Sequence, residues 1–224
     1  YYVDAESLVS DYEYDMLFKE LEALEKEFPH LISKDSPTQR VGGEPIKSFS
    51  QITHAKPMLS LANTYSREEV EDFDSKVRKS LVNEEFNYCS ELKIDGIACS
   101  LIYKNCELEF AATRGDGFVG DDITHNIRTI RNIPLKVEPI LINGKLMKDF
   151  EVRGEVFMYE KDFLAINQLR EEAGEKTYSN PRNTAAGTLK LLDPKEVSKR
   201  KLNMFCYFLT SDDVALESHH KNME

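Results

Sequence analysis

The sequence predicts an α+β chain in two parts: a small helical domain over residues 1–46 and a larger unit over residues 47–224 built mainly on antiparallel strands with flanking helices. Three observations predict it. Apolar residues recur at helical spacing ahead of Pro29. Two strand-like runs, Ile97 to Tyr103 and Glu107 to Thr113, flank Lys104-Asn105 as a hairpin. From Phe150 to Met158 the residues alternate, with Phe150, Val152, Val156 and Met158 on one face and Glu151, Arg153, Glu155 and Phe157 on the other.

The elements follow in order. Tyr1 to Phe28 reads as helix, with Ser10 and Glu13 as a capping box and Tyr14, Leu17, Leu21, Leu24 and Phe28 as its apolar stripe. Leu31 to Ser50 is a polar connection with turn signals at Asp35-Ser36-Pro37 and Gly42-Gly43, which places the domain boundary near Pro45. Pro57 to Leu61 is a short apolar segment, and Arg67 to Leu81 a helix with Val70, Phe73 and Val77 on one face. Tyr88 to Leu92 reads as a strand. Past the hairpin, Thr113-Arg114-Gly115-Asp116-Gly117 is a glycine-permitted turn, and Asp121 to Arg131 a helix ended by Pro134. Lys161 to Glu172 is a helix closed by Gly174, and Asn180-Pro181-Arg182-Asn183 opens another that runs to Leu192. Leu202 to Leu209 is the final strand, with Leu202, Met204, Cys206 and Phe208 set against Phe205 and Tyr207. Ser211 to Glu224 is polar and carries no fold signal.

Composition bounds the function. The chain has 224 residues, 41% hydrophobic and 31% charged, enough for one medium core and a satellite domain. No apolar run is long enough to cross a membrane, and no signal peptide is apparent. Cys89, Cys99, Cys106 and Cys206 show no Cys-x-x-Cys spacing and read as reduced, mostly buried thiols. His30, His54, His125, His219 and His220 do not pair with Asp or Cys at metal-ligand spacing, so no metal site is expected. The net charge of −11 opposes nucleic-acid binding unless the cations collect on one face. Arg114, Arg128, Arg131, Arg182, Lys190 and the run from Lys195 to Lys201 offer such a set.

One stretch carries the chemistry. In Glu91-Leu92-Lys93-Ile94-Asp95-Gly96 a lysine sits between a strand-like run and a glycine turn. An amine held against an apolar wall among other cations loses its proton more readily and becomes a nucleophile. Arg114, at a glycine turn, suits phosphate binding. The Asp11 and Asp15 carboxylates beside Tyr14, with Tyr1 and Tyr2 upstream, suit a cationic, hydroxyl-bearing ring as well as they suit helix capping and core packing. No nucleophile elbow, Walker loop or dinucleotide loop is present.

The Lys93 stretch resembles the adenylation motif of the covalent nucleotidyltransferases. Ser36-Pro37-Thr38-Gln39-Arg40-Val41-Gly42, Pro57-Met58-Leu59-Ser60-Leu61, Ala112 to Gly117, Val152-Arg153-Gly154-Glu155-Val156, Asn180 to Asn183 and Asp11-Tyr12-Glu13-Tyr14-Asp15 narrow the resemblance to the bacterial NAD-dependent DNA ligases. It runs in one order from Tyr1 to about Thr210. The resemblance implies a nicotinamide-mononucleotide-binding helical domain and an ATP-grasp-like nucleotidyltransferase domain, incomplete at its C-terminal end. It implies NAD as the adenylate donor, Mg²⁺ as an electrostatic clamp, nicked double-stranded DNA as partner, a monomer, and the bacterial cytosol. Lys93, Arg114 and Asp95 become the catalytic residues. Tyr1, Tyr2, Asp11, Tyr12, Glu13, Tyr14 and Asp15 fall on the nicotinamide side. Ser60 and Leu61 flank the adenosine, Glu91 reads adenine, Tyr207 stacks on it, and Arg114 and Glu155 reach the ribose and phosphates. Arg182 and Lys190 become DNA contacts.

The chain departs from the pattern in places. Asp121 replaces a usual Glu, Lys190 replaces an Arg and lacks its bidentate fork, and Cys106 replaces a hairpin Gly. Two later lysine motifs and the oligonucleotide-binding, zinc and helix-hairpin-helix parts are not in the sequence, so a piece of a longer protein is expected, with zinc only in the remainder. An ATP- or GTP-using nucleotidyltransferase such as an RNA ligase, and a non-catalytic NAD-binding remnant, stand as the alternatives.

Overall fold

The computed structural model describes residues 11–33, 36–40, 48–82, 84–216 and 218–223. Its centre is a four-stranded antiparallel sheet in the order β3-β2-β7-β8. These strands are β2 (Ile97–Lys104), β3 (Glu107–Thr113), β7 (Phe150–Phe157) and β8 (Asn203–Thr210). Alternation decides the faces. Cys99, Leu101 and Tyr103 of β2 and Phe150 and Val156 of β7 point into the core, and the Tyr103 and Phe150 rings stack at 4.7 Å. The core is closed by Ile123 and Ile127 around α3 (Thr124–Ile127), Ala185 and Leu189 of α5 (Pro181–Leu189) and Val197 of α6 (Pro194–Ser198). The opposite sheet face carries Glu151, Arg153 and Glu155.

Small elements surround this sheet. β1 (Gln51–Thr53) pairs antiparallel with β4 (Val119–Asp121), and β5 (Ile140–Ile142) with β6 (Lys145–Met147). The second hairpin turns at Asn143-Gly144, both at positive φ, as a two-residue turn between right-twisted strands requires. The Asn-Gly pair is a hairpin signal that the strand reading above passes over. Asn105 and Cys106 also take positive φ, 50° and 68°, so Cys106 occupies a conformation that favours glycine. Helices α2 (Arg67–Ser80), capped by Ser66, and α4 (Glu160–Glu172), followed by Gly174 at φ 70°, appear where periodicity and caps place them.

Four expectations change. Tyr88 to Leu92 is not a strand. The neighbour positions of β2 are both taken, by β3 and β7. Tyr88 is anchored on α2 instead, its hydroxyl donating to Asp74 at 2.9 Å. The Asp121 to Arg131 helix shrinks to the single turn of α3, because Asp121 belongs to β4 and Asp122 serves as an acceptor for Thr124. The strict alternation of β8 breaks at a bulge: Arg153 faces Phe208 while Gly154 faces Cys206. Phe208 therefore leaves the core side and lies under the Arg153 guanidinium, 5.6 Å from it. The C-terminal stretch is not structureless, since Val214 is buried and α7 (His219–Asn222) follows, capped by Ser218.

At the other end α1 (Asp11–Glu27) carries its stripe outward, with Leu17, Leu24 and Phe28 all exposed. Glu25 ties the Ser36-Pro37-Thr38 turn to this helix by accepting from both Ser36 and Thr38 hydroxyls. The Ser10 cap, Tyr1 and Tyr2 lie outside the described residues.

Candidate active site

The charged face of the sheet forms the floor of a cleft of about 840 Å³, within the usual range of ligand sites. Ala98, Arg153, Glu155, Tyr207 and Phe208 line that floor, and Arg182 of α5 and Lys190, just past its end, line one side.

A buried charge pair builds the first wall. Arg153 and Glu151 are 9% and 8% exposed, joined at 2.5 Å, with Ser100 donating to the same carboxylate at 2.7 Å. The guanidinium also donates to the Lys56 and Pro57 carbonyls at 2.6 and 2.9 Å. One planar fork thus holds the chain entering Pro57 to Leu61 and sets Ser60 and Leu61 beside the cleft. The Met58 N–H donates to the Gly117 carbonyl at 2.8 Å, which ties this wall to the Arg114 turn.

That turn is strongly specified. Gly115 and Gly117 take φ of 55° and 97°, and a Cβ on Gly115 would lie 1.8 Å from the Val119 carbonyl oxygen. Asp116 accepts from the Phe118 and Val119 N–H groups, and those bonds hold its carboxyl below the usual range. The His54 ring N–H donates to the Thr113 carbonyl at 3.1 Å and braces the turn from behind. Arg114 lines the cleft beside it. Sequence reasoning missed both His54 and Arg153 as positioning residues: each acts on backbone carbonyls remote in sequence, which no motif displays.

The second wall is the irregular segment through Glu91, Leu92 and Lys93. It joins β2 at Gly96, where a Cβ would meet the Val156 carbonyl oxygen at 2.2 Å, so the loop presses on β7 only because residue 96 is glycine. Lys93 is exposed at this wall rather than sunk against an apolar surface. Among the described residues, Lys93 and Arg114 make no ion pair at contact distance. Arg182 pairs with Asp95 at 2.9 Å and Lys190 with Asp121 at 3.0 Å. Asp95 stands outside the lining and reaches the site only through Arg182.

Five cations and three carboxylates meet here: Lys93, Arg114, Arg153, Arg182 and Lys190 against Glu91, Asp121 and Glu155. Three of the cations are paired, Arg153 with Glu151, Arg182 with Asp95 and Lys190 with Asp121, so that Lys93 and Arg114 stand against Glu91 and Glu155. Burial raises the Glu155 carboxyl, opposed by the Lys93 charge, the Gly96 N–H, Arg182 and Arg114. Burial, followed by the Glu155 charge, pushes the Tyr207 phenol up to about 12. Glu155 thus supplies a carboxylate held against its own desolvation, the donor type that Mg²⁺ accepts.

A stability prediction follows from Glu155. A raised carboxyl pKa means that ionisation costs the folded state stability above the ordinary carboxylate range, and that protonation removes the cost below the raised value. Glu155→Gln is therefore expected to melt at or above the parent at pH 7, with the difference shrinking as the pH falls through the raised pKa. Thermal melts across pH check it, and a variant melting well below the parent at pH 7 would show that the fold needs the charge.

Of the other proposed cofactor residues, Asp11, Tyr12, Glu13, Tyr14 and Asp15 lie on α1, and Tyr1 and Tyr2 are outside the described residues. Glu13 is exposed there, whereas the side chains of Asp11, Tyr12, Tyr14 and Asp15 are outside the described set.

Comparison with known proteins agrees with this architecture. Residues 46–224 match the model of the NAD-dependent DNA ligase adenylation domain. Residues 1–42 match that of the DNA ligase-like N-terminal NAD+-binding domain. A protein named DNA ligase from Acetivibrio thermocellus is 46% identical over 228 aligned residues, covering 100% of this chain and 33% of the relative. DNA ligase of Petrotoga mobilis is 50% identical over 93% of the chain and 30% of its own length. That of Halalkalibacterium halodurans is 48% identical over 100% of the chain and 32% of its own length. The chain spans about a third of the length of these relatives. Two family models that together span nearly all of it, and relatives close to half identical from end to end, establish that the chain belongs to the NAD-dependent DNA ligase family.

Proposed function

We propose that this chain binds NAD and attaches its adenylate to Lys93, as the first step of sealing nicks between a 5′-phosphate and a 3′-hydroxyl in duplex DNA. The observation that carries the reading is the cleft itself: an accessible lysine and arginine without ion-pair partners among the described residues, beside Glu155, Glu91 and Tyr207. The Lys93 amine, in its neutral form, attacks the α-phosphorus of NAD. The P–N bond forms as the bond to the nicotinamide mononucleotide oxygen breaks, and the amine proton passes to solvent. Arg114 stabilises charge on the phosphate oxygens, and positioning with charge neutralisation carries most of such a transfer. Glu91 and Tyr207 take the adenine, with Ser60 and Leu61 beside the adenosine, and Asp95 orients Arg182. Glu155 would hold Mg²⁺, which supplies electrostatic stabilisation of the phosphates when bound.

In the whole protein AMP then passes to the 5′-phosphate at the nick, and the 3′-hydroxyl displaces it. Arg182 and Lys190, at the side of the cleft, are assigned to the DNA. The setting is replication and repair in the bacterial cytosol, by a monomer. The match of residues 1–42 supports NAD over ATP as the donor, with Tyr1, Tyr2, Asp11, Tyr12, Glu13, Tyr14 and Asp15 receiving the nicotinamide half in a domain that ends near residue 46.

The test separates the two halves of the donor. In the full-length parent, Asp11→Ala, Tyr14→Ala and Asp15→Ala are each expected to slow AMP attachment from NAD by about tenfold or more, the scale of one lost polar contact of 1.4 kcal/mol. Sealing of pre-adenylated nicked DNA is expected to persist, because the leaving group is then already gone. Equal losses in both assays would assign this helix to folding alone.

A further inference from the structure

Cys89 and Glu91 stand two residues apart on the irregular wall of the cleft, and both line it. His219 reaches them from the far end of the chain. The C-terminal segment packs down at Val214, and α7 opens at His219, whose ring nitrogen lies 2.8 Å from the Glu91 carboxylate. The Cys89 sulfur, a Glu91 oxygen and a His219 nitrogen all lie within 4.8 Å of one another. Cys89 is exposed, and the His219 and Glu91 side chains are 38% and 40% exposed, so a dissolved ion has access.

We propose that Cys89, Glu91 and His219 form a binding site for a zinc-like divalent transition metal, and that metal held there competes with the adenine ring for Glu91. The second half of the proposal rests on the reading of Glu91 given above. The donor set decides the metal class. A thiolate, an imidazole and a carboxylate suit zinc or cobalt, whereas magnesium takes oxygen alone. Bonds of about 2.0–2.3 Å in a tetrahedral shell put ligand atoms roughly 3.5 Å apart. The Cys89 sulfur needs to close by about an ångström while the Glu91–His219 pair opens from 2.8 Å, and rotation of exposed side chains supplies both. The Glu91–His219 hydrogen bond already brings two of the three together. On binding, the Cys89 thiol gives up its proton, the His219 nitrogen facing Glu91 loses the proton it donates there, which the other ring nitrogen carries instead, and the metal takes the lone pairs that Glu91 would offer to a base. Spacing along the sequence could not show this site, because His219 lies 128 residues from Glu91.

Cobalt(II) is the probe, titrated into the purified 224-residue chain. Binding is expected to produce a thiolate-to-cobalt charge-transfer band that zinc abolishes by displacement. Cys89→Ser should lose the band. His219→Ala should weaken cobalt binding at least tenfold, since even an outer-shell partner is worth about that much. No band at millimolar cobalt would overturn the site, as would a band that survives in Cys89→Ser but disappears in Cys206→Ser. A calorimetric NAD titration tests the competition. Saturating zinc is expected to raise the apparent Kd about tenfold or more in the parent and to leave it unmoved in Cys89→Ser. A cobalt site that obeys the variants while zinc leaves NAD affinity unchanged would keep the metal site and overturn the adenine role of Glu91.

Discussion

Replacing Lys93 with alanine or arginine is expected to abolish attachment of AMP, a loss on the order of 10⁴-fold or more, the scale seen when a nucleophile is removed. Alanine removes the amine. Arginine keeps the charge, but its guanidinium stays protonated and offers no free lone pair. Neither change should disturb the fold, because Lys93 is exposed on an irregular segment and surface substitutions of this kind stay within about 0.5 kcal/mol. The check is intact mass after incubation of the full-length parent with NAD and Mg²⁺, with a thermal melt of each variant alongside. A variant that melts like the parent and still gains AMP would move the covalent site elsewhere.

Arg153→Met should be the most damaging single change to the scaffold. It strips Glu151, 8% exposed, of its cation and leaves the Ser100 hydroxyl as its remaining hydrogen-bond donor among the described residues. It also removes the two bonds that hold the Lys56 and Pro57 carbonyls. Breaking a buried pair from one side costs about 3–5 kcal/mol. For a chain of this size, that lowers the melting temperature by roughly 10 °C. Arg153→Lys should not rescue it, since an ammonium cannot span a carboxylate and two carbonyls in one plane. The double variant Glu151→Gln with Arg153→Met should recover part of the loss by removing the stranded charge. Melting of all three decides the matter. In the full-length parent, KM for NAD should rise more than kcat falls, because the freed segment carries Ser60 and Leu61 into the cleft wall. Melting within a few degrees of the parent would show that the pair contributes little.

The central strands were legible because their signal is local. The alternation in β2, β3 and β7 follows from a two-residue repeat, and any strand with one buried face must display it. The start of α5 was equally local, with the Asn180 side-chain oxygen three residues from the N–H it accepts. Tyr88 to Leu92 shows where that logic stops. Its composition suits a strand, but a strand also needs a free neighbour, and the sheet had none to offer beside β2. Phe208 shows a second limit: one bulged residue reverses the faces of everything beyond it.

The chemistry of the site was legible in part. Lys93, Arg114, Glu155, Glu91 and Tyr207 sit in short motifs, and the fold brings them to one cleft. The Asp95 carboxylate accepts from Arg182, 87 residues away, a pairing that its place beside Lys93 does not display.

The sequence by itself therefore determined the strand and helix periods, the glycines that permit the turns, and the kinds of reactive group on offer, all of which depend on neighbours a few residues apart. Only the tertiary structure decided which charges are paired. Arg153 took Glu151 and the Lys56 and Pro57 carbonyls, Lys190 took Asp121, and His219 came to Glu91, while Lys93 and Arg114 make no ion pair among the described residues. The reason is that Coulomb and hydrogen-bond energies depend on distance in space and on local exclusion of water. The packing of remote segments sets both.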